Sequence, residues 1–263
     1  MNPGSNPQWK INWIAYTTIT RREVLRFSRI WVQTIVPPVV MAALYFVIFG
    51  NLIGQQIGAM DGMPYVDFIM PGLVMMSIIT HSYSNVVSSF YGAKYSRHIE
   101  EMQIAPIPNV VIMLGFITGG VMRGLCVGVT VTLVSQVFTD FAVHSPLIII
   151  VVAILTAFLF SIAGLINGVF AKSFDDVSII PTFVLTPLTY LGGIFYSIKL
   201  LPEFWRQVSL ANPILYMVNS FRYGFRGASD IDLTVAICVI LLFIVLLFSA
   251  CLILLERGIG TRQ

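Results

Sequence analysis

Charge is what this sequence has least of. Fifteen Lys or Arg and twelve Asp or Glu make 10% of its 263 residues, against 57% hydrophobic and a mean hydropathy of +0.88. A soluble domain carries about 25% charged residues, so a globule of this size would lack the groups that keep a surface in water. The apolar residues also come in runs of about twenty, the length that crosses a bilayer core. Together these exclude a soluble enzyme, a disordered chain and a nucleic-acid binder. Cysteine is scarce too: Cys126, Cys238 and Cys251 lie inside apolar runs, where they read as small hydrophobes, and give no disulfide framework. His81, His98 and His144 have no Cys or His partner at ligand spacing, so no zinc motif exists. The phosphate loop G-x-x-x-x-G-K-S/T is missing, as are G-x-S-x-G and His-Glu-x-x-His. The N-terminus does not read as a cleavable signal, because its first apolar run starts only near Trp31 and ends without a small-residue cleavage site. What remains is a polytopic membrane protein with no catalytic residue and no metal ligand set to name.

Six segments read as spanning helices: Trp31–Ile53, Phe68–Phe90, Val110–Phe138, Leu147–Phe170, Ile179–Ser197 and Leu233–Leu255. Trp9, Trp13, Trp31 and Trp205 fall near the predicted boundaries, where amphipathic rings settle. With a cytoplasmic N-terminus, Lys10, Arg21, Arg22, Arg26, Arg29, Lys94, Arg97, Lys172, Arg257 and Arg262 lie inside. Lys199, Arg206, Arg222 and Arg226 then lie outside, and Arg123 within the membrane. The positive-inside bias favours this orientation, and an even number of spans returns the C-terminus to the cytoplasm.

Before the first span, Arg22, Arg26 and Arg29 share one helical face, while Trp13, Tyr16, Val24, Phe27 and Trp31 occupy a roughly opposite one. The pattern predicts an amphipathic helix lying in the membrane plane; the plainer alternative is a basic flank. Between spans five and six, the segment 199–232 carries Phe204, Trp205, Leu210, Ile214, Tyr216, Phe221 and Phe225, with Pro202 and Pro213 as breaks. It is too apolar to stay solvated and too interrupted to span, which predicts short re-entrant outer helices. The expectation is an all-α membrane protein with one domain over residues 1–263. An interfacial helix covers 10–30, six spans cover 31–255, and both termini are cytoplasmic.

None of the twelve acids, including Glu23, Asp61, Asp67, Asp140 and Glu256, reads as deep in a span, which weakens an ion-coupled reading. Arg123 is the one deep charge, and it must face protein or water. His81 sits near it in depth, about ten residues from the cytoplasmic side against fourteen, a difference of roughly 6 Å. The two either line one polar cavity, or Arg123 merely bonds carbonyls of a neighbouring helix. Tyr83 and Phe116, with Phe90 and Tyr91, are aromatics suited to an amphipathic cargo, although rings also fill ordinary helix contacts. Gly120, Gly124 and Gly128, the pair Gly115 and Gly119, and the pair Gly164 and Gly168 each recur at four-residue spacing. Such glycines let helices approach closely, within the chain or along a dimer seam. The loop 91–108 holds Tyr95, Arg97, His98, Glu100, Glu101 and Met102, a mixed-charge turn with an apolar edge. It is either a docking element for a cytoplasmic partner or a solvated connector.

Several motifs resemble one family. Tyr190-Leu-Gly-Gly-Ile-Phe-Tyr-Ser, Leu201-Pro202, Asn212-Pro213-Ile214-Leu215-Tyr216, Phe221-Arg222 and Gly227 resemble the C-terminal signature of ABC-2-type exporter permeases, most closely the bacterial YadH-type inner-membrane permeases. Arg29-Ile-Trp-Val-Gln-Thr with Pro37-Pro38, and Phe174-Asp-Asp through Pro181-Thr-Phe, extend the likeness over nearly the whole chain. The resemblance implies six spans and two permease copies, a homodimer, paired with two separate ATPase subunits. ATP and Mg would then be bound by those subunits, and no cofactor by this chain. It implies that the loop between spans two and three couples to the ATPase, through Tyr95, Arg97, His98, Glu100, Glu101 and Met102, with Arg22 and Arg26 on the N-terminal helix. Where the family often has Gly-Thr before the glutamate, this chain has Arg97-His98. His81, Arg123, Phe116 and Tyr83 become candidates for the pathway of an amphipathic, lipid-like, drug-like or polysaccharide substrate. Membrane lipids are partners and nucleic acid is not. The competing reading is an ion-coupled carrier or channel, though no convincing repeat relates residues 31–138 to 147–255.

Overall fold

Where no water reaches, every backbone N–H and C=O must bond internally, so apolar runs fold as helices. The computed structural model describes residues 7–60, 62–139, 143–227 and 229–260, and it is mostly helical. Asp61, Asp140 and Arg262, placed above by charge, lie outside the described residues.

Helix α1 (Gln8–Arg29) bends at Ile30 into α2 (Trp31–Tyr45), which continues through a π-helical stretch, Phe46–Ile53, into α3 (Gly54–Ile57). A two-residue hairpin, β1 (Ala59–Met60) with β2 (Met63–Pro64), leads to the 31-residue α4 (Tyr65–Tyr95). Then come α5 (His98–Ile104), α6 (Asn109–Ser135) and α7 (Pro146–Phe170). The run α8 (Phe174–Ile180), a π-helical turn (Pro181–Leu185) and α9 (Thr186–Tyr190) follows. Last are a 3-10 turn (Ile198–Leu200), α10 (Glu203–Leu210), α11 (Pro213–Arg226) and α12 (Leu233–Glu256). Among the described residues, five helices are long and apolar enough to cross a membrane: α2 with its extension to Gly50, α4, α6, α7 and α12.

Two elements differ from the predicted bounds for identifiable reasons. Helix α4 outruns Phe68–Phe90 at both ends because its polar ends are satisfied. Asp67 pairs with Arg226 at 3.4 Å, and Lys94 Nζ donates to the carbonyls of Val169 and Ala171 at 2.7 Å each. Conversely, the predicted span Ile179–Ser197 stops being helical after Tyr190, since the chain turns through Gly193 in the left-handed region (φ 73°). At the start of that run, Ser173 and Asp176 form a reciprocal capping box. The Lys172 and Ser173 amides donate to Asp176 Oδ2 at 2.9 and 3.1 Å, and the Asp176 amide donates to Ser173 Oγ at 3.2 Å.

Helix α4 is the hub, packed along α6 and α7, and the glycine series explain how closely. A Cβ at Gly115 would meet Ile19 Cγ2 at 2.6 Å, and one at Gly119 would strike Glu23, so α1 follows α6 in parallel register. Gly120 and Gly124 face Ser82 of α4, and Gly128 faces Ile78. Gly164 of α7 lies against the Tyr83 backbone, and Gly168 against Phe90. These glycines are therefore spent on contacts within the chain. The core divides into two apolar clusters. One gathers Phe46, Phe68, Met75, Val131, Met217 and Phe221, and the other Ile19, Phe90, Phe116, Leu165, Cys251 and Leu255. Between them lies a layer of fully buried polar residues: Glu23, Ser82, Asn85 and Ser161.

Candidate functional site

Three places concentrate polar chemistry. The first is the loop between α4 and α6. Arg97 (φ 60°) is the only non-glycine residue among those described with a left-handed backbone, and it turns the chain from α4 into α5. That conformation suits glycine. Replacing it, Arg97→Gly, is expected to raise stability by up to about 1 kcal/mol once the looser unfolded chain is offset. Thermal unfolding in detergent measures this, and a lowered midpoint would contradict it.

Helix α5 lies beside α1, and between them runs a groove of about 440 Å³. Arg22 and Thr18 line it from α1, and His98, Glu101 and Met102 from α5. So the structure brings together four of the eight residues expected to couple. Glu100 is half-buried and outside that lining, while its amide closes the turn on Arg97 O at 3.2 Å. Tyr95 instead joins a ring cluster with Tyr91 and Phe174, at 6.4 and 5.4 Å between centroids. Arg26 turns away, toward α4.

The second place is the polar layer. Arg26 Nη2 donates to Asn85 O and Oδ1 at 2.9 Å each, and to Glu23 Oε2 at 3.3 Å. Arg123 Nη1 donates to the same Asn85 Oδ1 at 3.4 Å. Glu23 Oε1 makes no hydrogen bond among the described residues, with Arg22 Nε 3.8 Å away. Glu23 lies in α1, outside the five long apolar helices, so it does not touch the reading that no acid sits deep in a span, but its burial was not foreseen. Because α1 packs on α6 instead of standing apart, this carboxylate is wholly enclosed. A sequence signal existed: Ile19, Glu23 and Phe27 form one buried stripe, matched by the four-residue step of Gly115 and Gly119. His81, one turn before Asn85 on α4, lines a groove of about 220 Å³ between α2 and α4, with Pro37, Met41, Tyr45, Met76 and Thr80, while Arg123 is not part of that lining. Tyr83 and Phe116 lie elsewhere, inside the packed core, where Phe116 meets Phe90 edge-on at 5.4 Å.

The third place is the signature segment. Rings of Tyr45, Phe49, Phe195 and Tyr190 cluster at 5.0–5.9 Å, and the Tyr45 and Tyr190 hydroxyls meet at 3.3 Å. Arg222 is buried, donating to Gly193 O at 2.8 Å with its guanidinium 3.9 Å from the Phe68 ring centre. Asn212 caps α11 through the Ile214 amide and also donates to Leu188 O. Gly227 (φ 70°) ends α11 in the left-handed conformation. Asn212, Arg222 and Gly227 thus have structural tasks at the two ends and on the buried face of α11, which packs against α4, α7 and α12.

Five helices long and apolar enough to cross a bilayer mark a membrane protein, and comparison with known proteins gives its class. Residues 14–225 match the ABC-2 type transporter family, and the chain belongs to it. It is similar to the inner membrane transport permease YadH of Escherichia coli strain K12, at 56% identity over 95% of this chain and 98% of that one. It is also similar to nodulation protein J of Sinorhizobium fredii, at 24% identity over 94% and 93% of the two chains. Nodulation protein J of Rhizobium leguminosarum bv. viciae is 22% identical over 98% of each.

Proposed function

We propose that this chain is the permease subunit of an ATP-driven exporter in the bacterial inner membrane. Two copies pair with two separate ATPase subunits, which hold ATP and Mg. Both termini face the cytoplasm, six spans cross the bilayer with the run 174–190 as the fifth, and α10 and α11 form the re-entrant outer cap. The observation that carries this reading is the groove between α1 and α5, which offers a protein partner cationic Arg22 and anionic Glu101 across an apolar floor. The YadH relative, an inner membrane transport permease by name, supports the placement.

Closure of the ATPases on ATP would push on α5 and α1 and favour an outward-open dimer only in the closed state. His81 and Arg123 are our candidates for lining the pathway, with Tyr83 and Phe116 behind them in the wall. The cargo class we assign is amphipathic.

Co-purification with the ATPase subunit in lipid, followed by ATP hydrolysis, tests the reading. Glu101→Ala, and less strongly Glu100→Ala, should lower transport-coupled hydrolysis by about tenfold, the size of one lost charge-assisted contact. Unchanged coupled activity in both variants would sink the coupling assignment. Transport that survives ATP depletion but collapses with a proton ionophore would sink the exporter reading as a whole.

A further inference from the structure

The polar layer holds more positive charge than it can neutralise. Arg26 and Arg123 converge on one acceptor, Asn85 Oδ1. The single carboxylate present, Glu23, already bonds Arg26, and no acid among the described residues pairs with Arg123. Two like charges sharing one amide oxygen in a medium of low dielectric repel strongly. Donors are also left over. Arg123 Nε and Asn85 Nδ2 are buried donors with no hydrogen-bond partner among the described residues, against one unbonded carboxylate acceptor, Glu23 Oε1. Buried donors without acceptors cost free energy, and two guanidinium groups against one carboxylate leave an excess of positive charge that favours an anion.

The surroundings narrow the ligand further. Arg123 is partly open, and His81, one helical turn before its acceptor Asn85 on α4, stands in the wall of the groove between α2 and α4. That groove is apolar along Met41, Leu73 and Met76, and polar at Ser77, Thr80 and His81. A ligand with its head at Arg123 would lay a hydrocarbon tail along the methionines.

We infer that Arg123, with Asn85 and His81, forms a site for the anionic head, phosphate or carboxylate, of an amphipathic molecule. As a cargo site this rests on the exporter reading; as an anion site it does not. Such a head could belong to a bilayer phospholipid or to the exported molecule.

Binding of fluorescent dioleoyl phosphatidylglycerol and of its phosphatidylcholine counterpart to the full chain in detergent micelles tests the site. The anionic lipid should bind about tenfold tighter, a preference that weakens with salt. Arg123→Gln should abolish the preference and Arg123→Lys should keep most of it. Equal binding of both lipids to the unaltered chain, a comparison that needs no variant, overturns the site. So does a folded Arg123→Gln variant that retains the preference. The ATPase complex in phosphatidylcholine nanodiscs then separates the sources. Stimulation of hydrolysis by added phosphatidylglycerol, lost in Arg123→Gln, assigns the site to cargo, and tight binding without stimulation assigns it to a resident lipid. Equal lipid binding with intact ATPase coupling removes the anion site but leaves the exporter standing, whereas failure to bind any ATPase does the reverse.

Discussion

Glu23→Ala should destabilise the folded protein by about 3–5 kcal/mol, the cost of removing one partner from a buried ion pair. Glu23 is fully buried and accepts from both Nε and Nη2 of Arg26, at 3.4 and 3.3 Å. Truncation leaves Arg26 facing Arg123 across Asn85 with no carboxylate between them. The contact to Arg22, 3.8 Å long and half exposed on the arginine side, contributes little of this. The alanine also opens a hole against Gly119, so charge and volume must be separated. The double variant Glu23→Ala, Arg26→Met removes both charges and should recover part of the loss. Denaturant titrations of the unaltered protein, of the single variants Glu23→Ala and Arg26→Met, and of the double give the cycle. If the single variant costs less than about 1 kcal/mol, the carboxylate is not the counter-ion that the geometry makes it.

Gly164→Val is the second large effect. A Cβ there would stand 2.5 Å from the Tyr83 carbonyl oxygen and 3.2 Å from its carbon. These are backbone atoms of the central helix, so no side-chain rotation relieves the contact, and α4 and α7 must separate. Overpacking costs about 1–3 kcal/mol where side chains can adjust, and more is expected here because they cannot. The variant should fail to run as a monodisperse species in detergent size-exclusion chromatography. Gly168→Ala, which meets the Phe90 ring at 3.1–3.3 Å, should be tolerated with a smaller loss. Gly92→Ala serves as the opposite control, since nothing lies within 4 Å of its Cβ position. Higher helix propensity should stabilise it by about 0.5–1 kcal/mol. Normal behaviour of Gly164→Val would mean that α7 does not approach α4 as closely as described.

Hydropathy located the long helices well, because it reports which residues meet lipid or apolar core. Predicted Leu147–Phe170 and Leu233–Leu255 differ from α7 and α12 by one residue at one end each. It misjudged α4, whose ends are secured by partners distant in sequence, Arg226 and the carbonyls at the end of α7. The motif residues from 190 to 227 were legible as a pattern, but their tasks appeared only once Arg222 met Gly193 and Phe68. The site divided in the same way. Arg22, His98, Glu101 and Met102 share a groove because α1 and α5 are neighbours, a grouping that came from the family resemblance, since nothing local to either segment pairs residue 22 with residues 98–102. The burial of Glu23 was not legible because it depends on which helix α1 packs against, a pairing 96 residues away in sequence (Gly119 against Glu23). Asn85, the acceptor that joins both arginines, drew no attention, since one amide in an apolar run looks like any other.

The two apolar blocks are held by close packing, which resists sliding because every interdigitated side chain must climb out of its slot. The layer of Glu23, Arg26, Asn85 and Arg123 is different. Its bonds are few and directional, and each can be traded for another of similar strength as the partners shift. Because α4, α6 and α7 each run unbroken from one block into the other, the layer acts as a set of exchangeable rivets, whose side chains can change partners without either block moving as a unit.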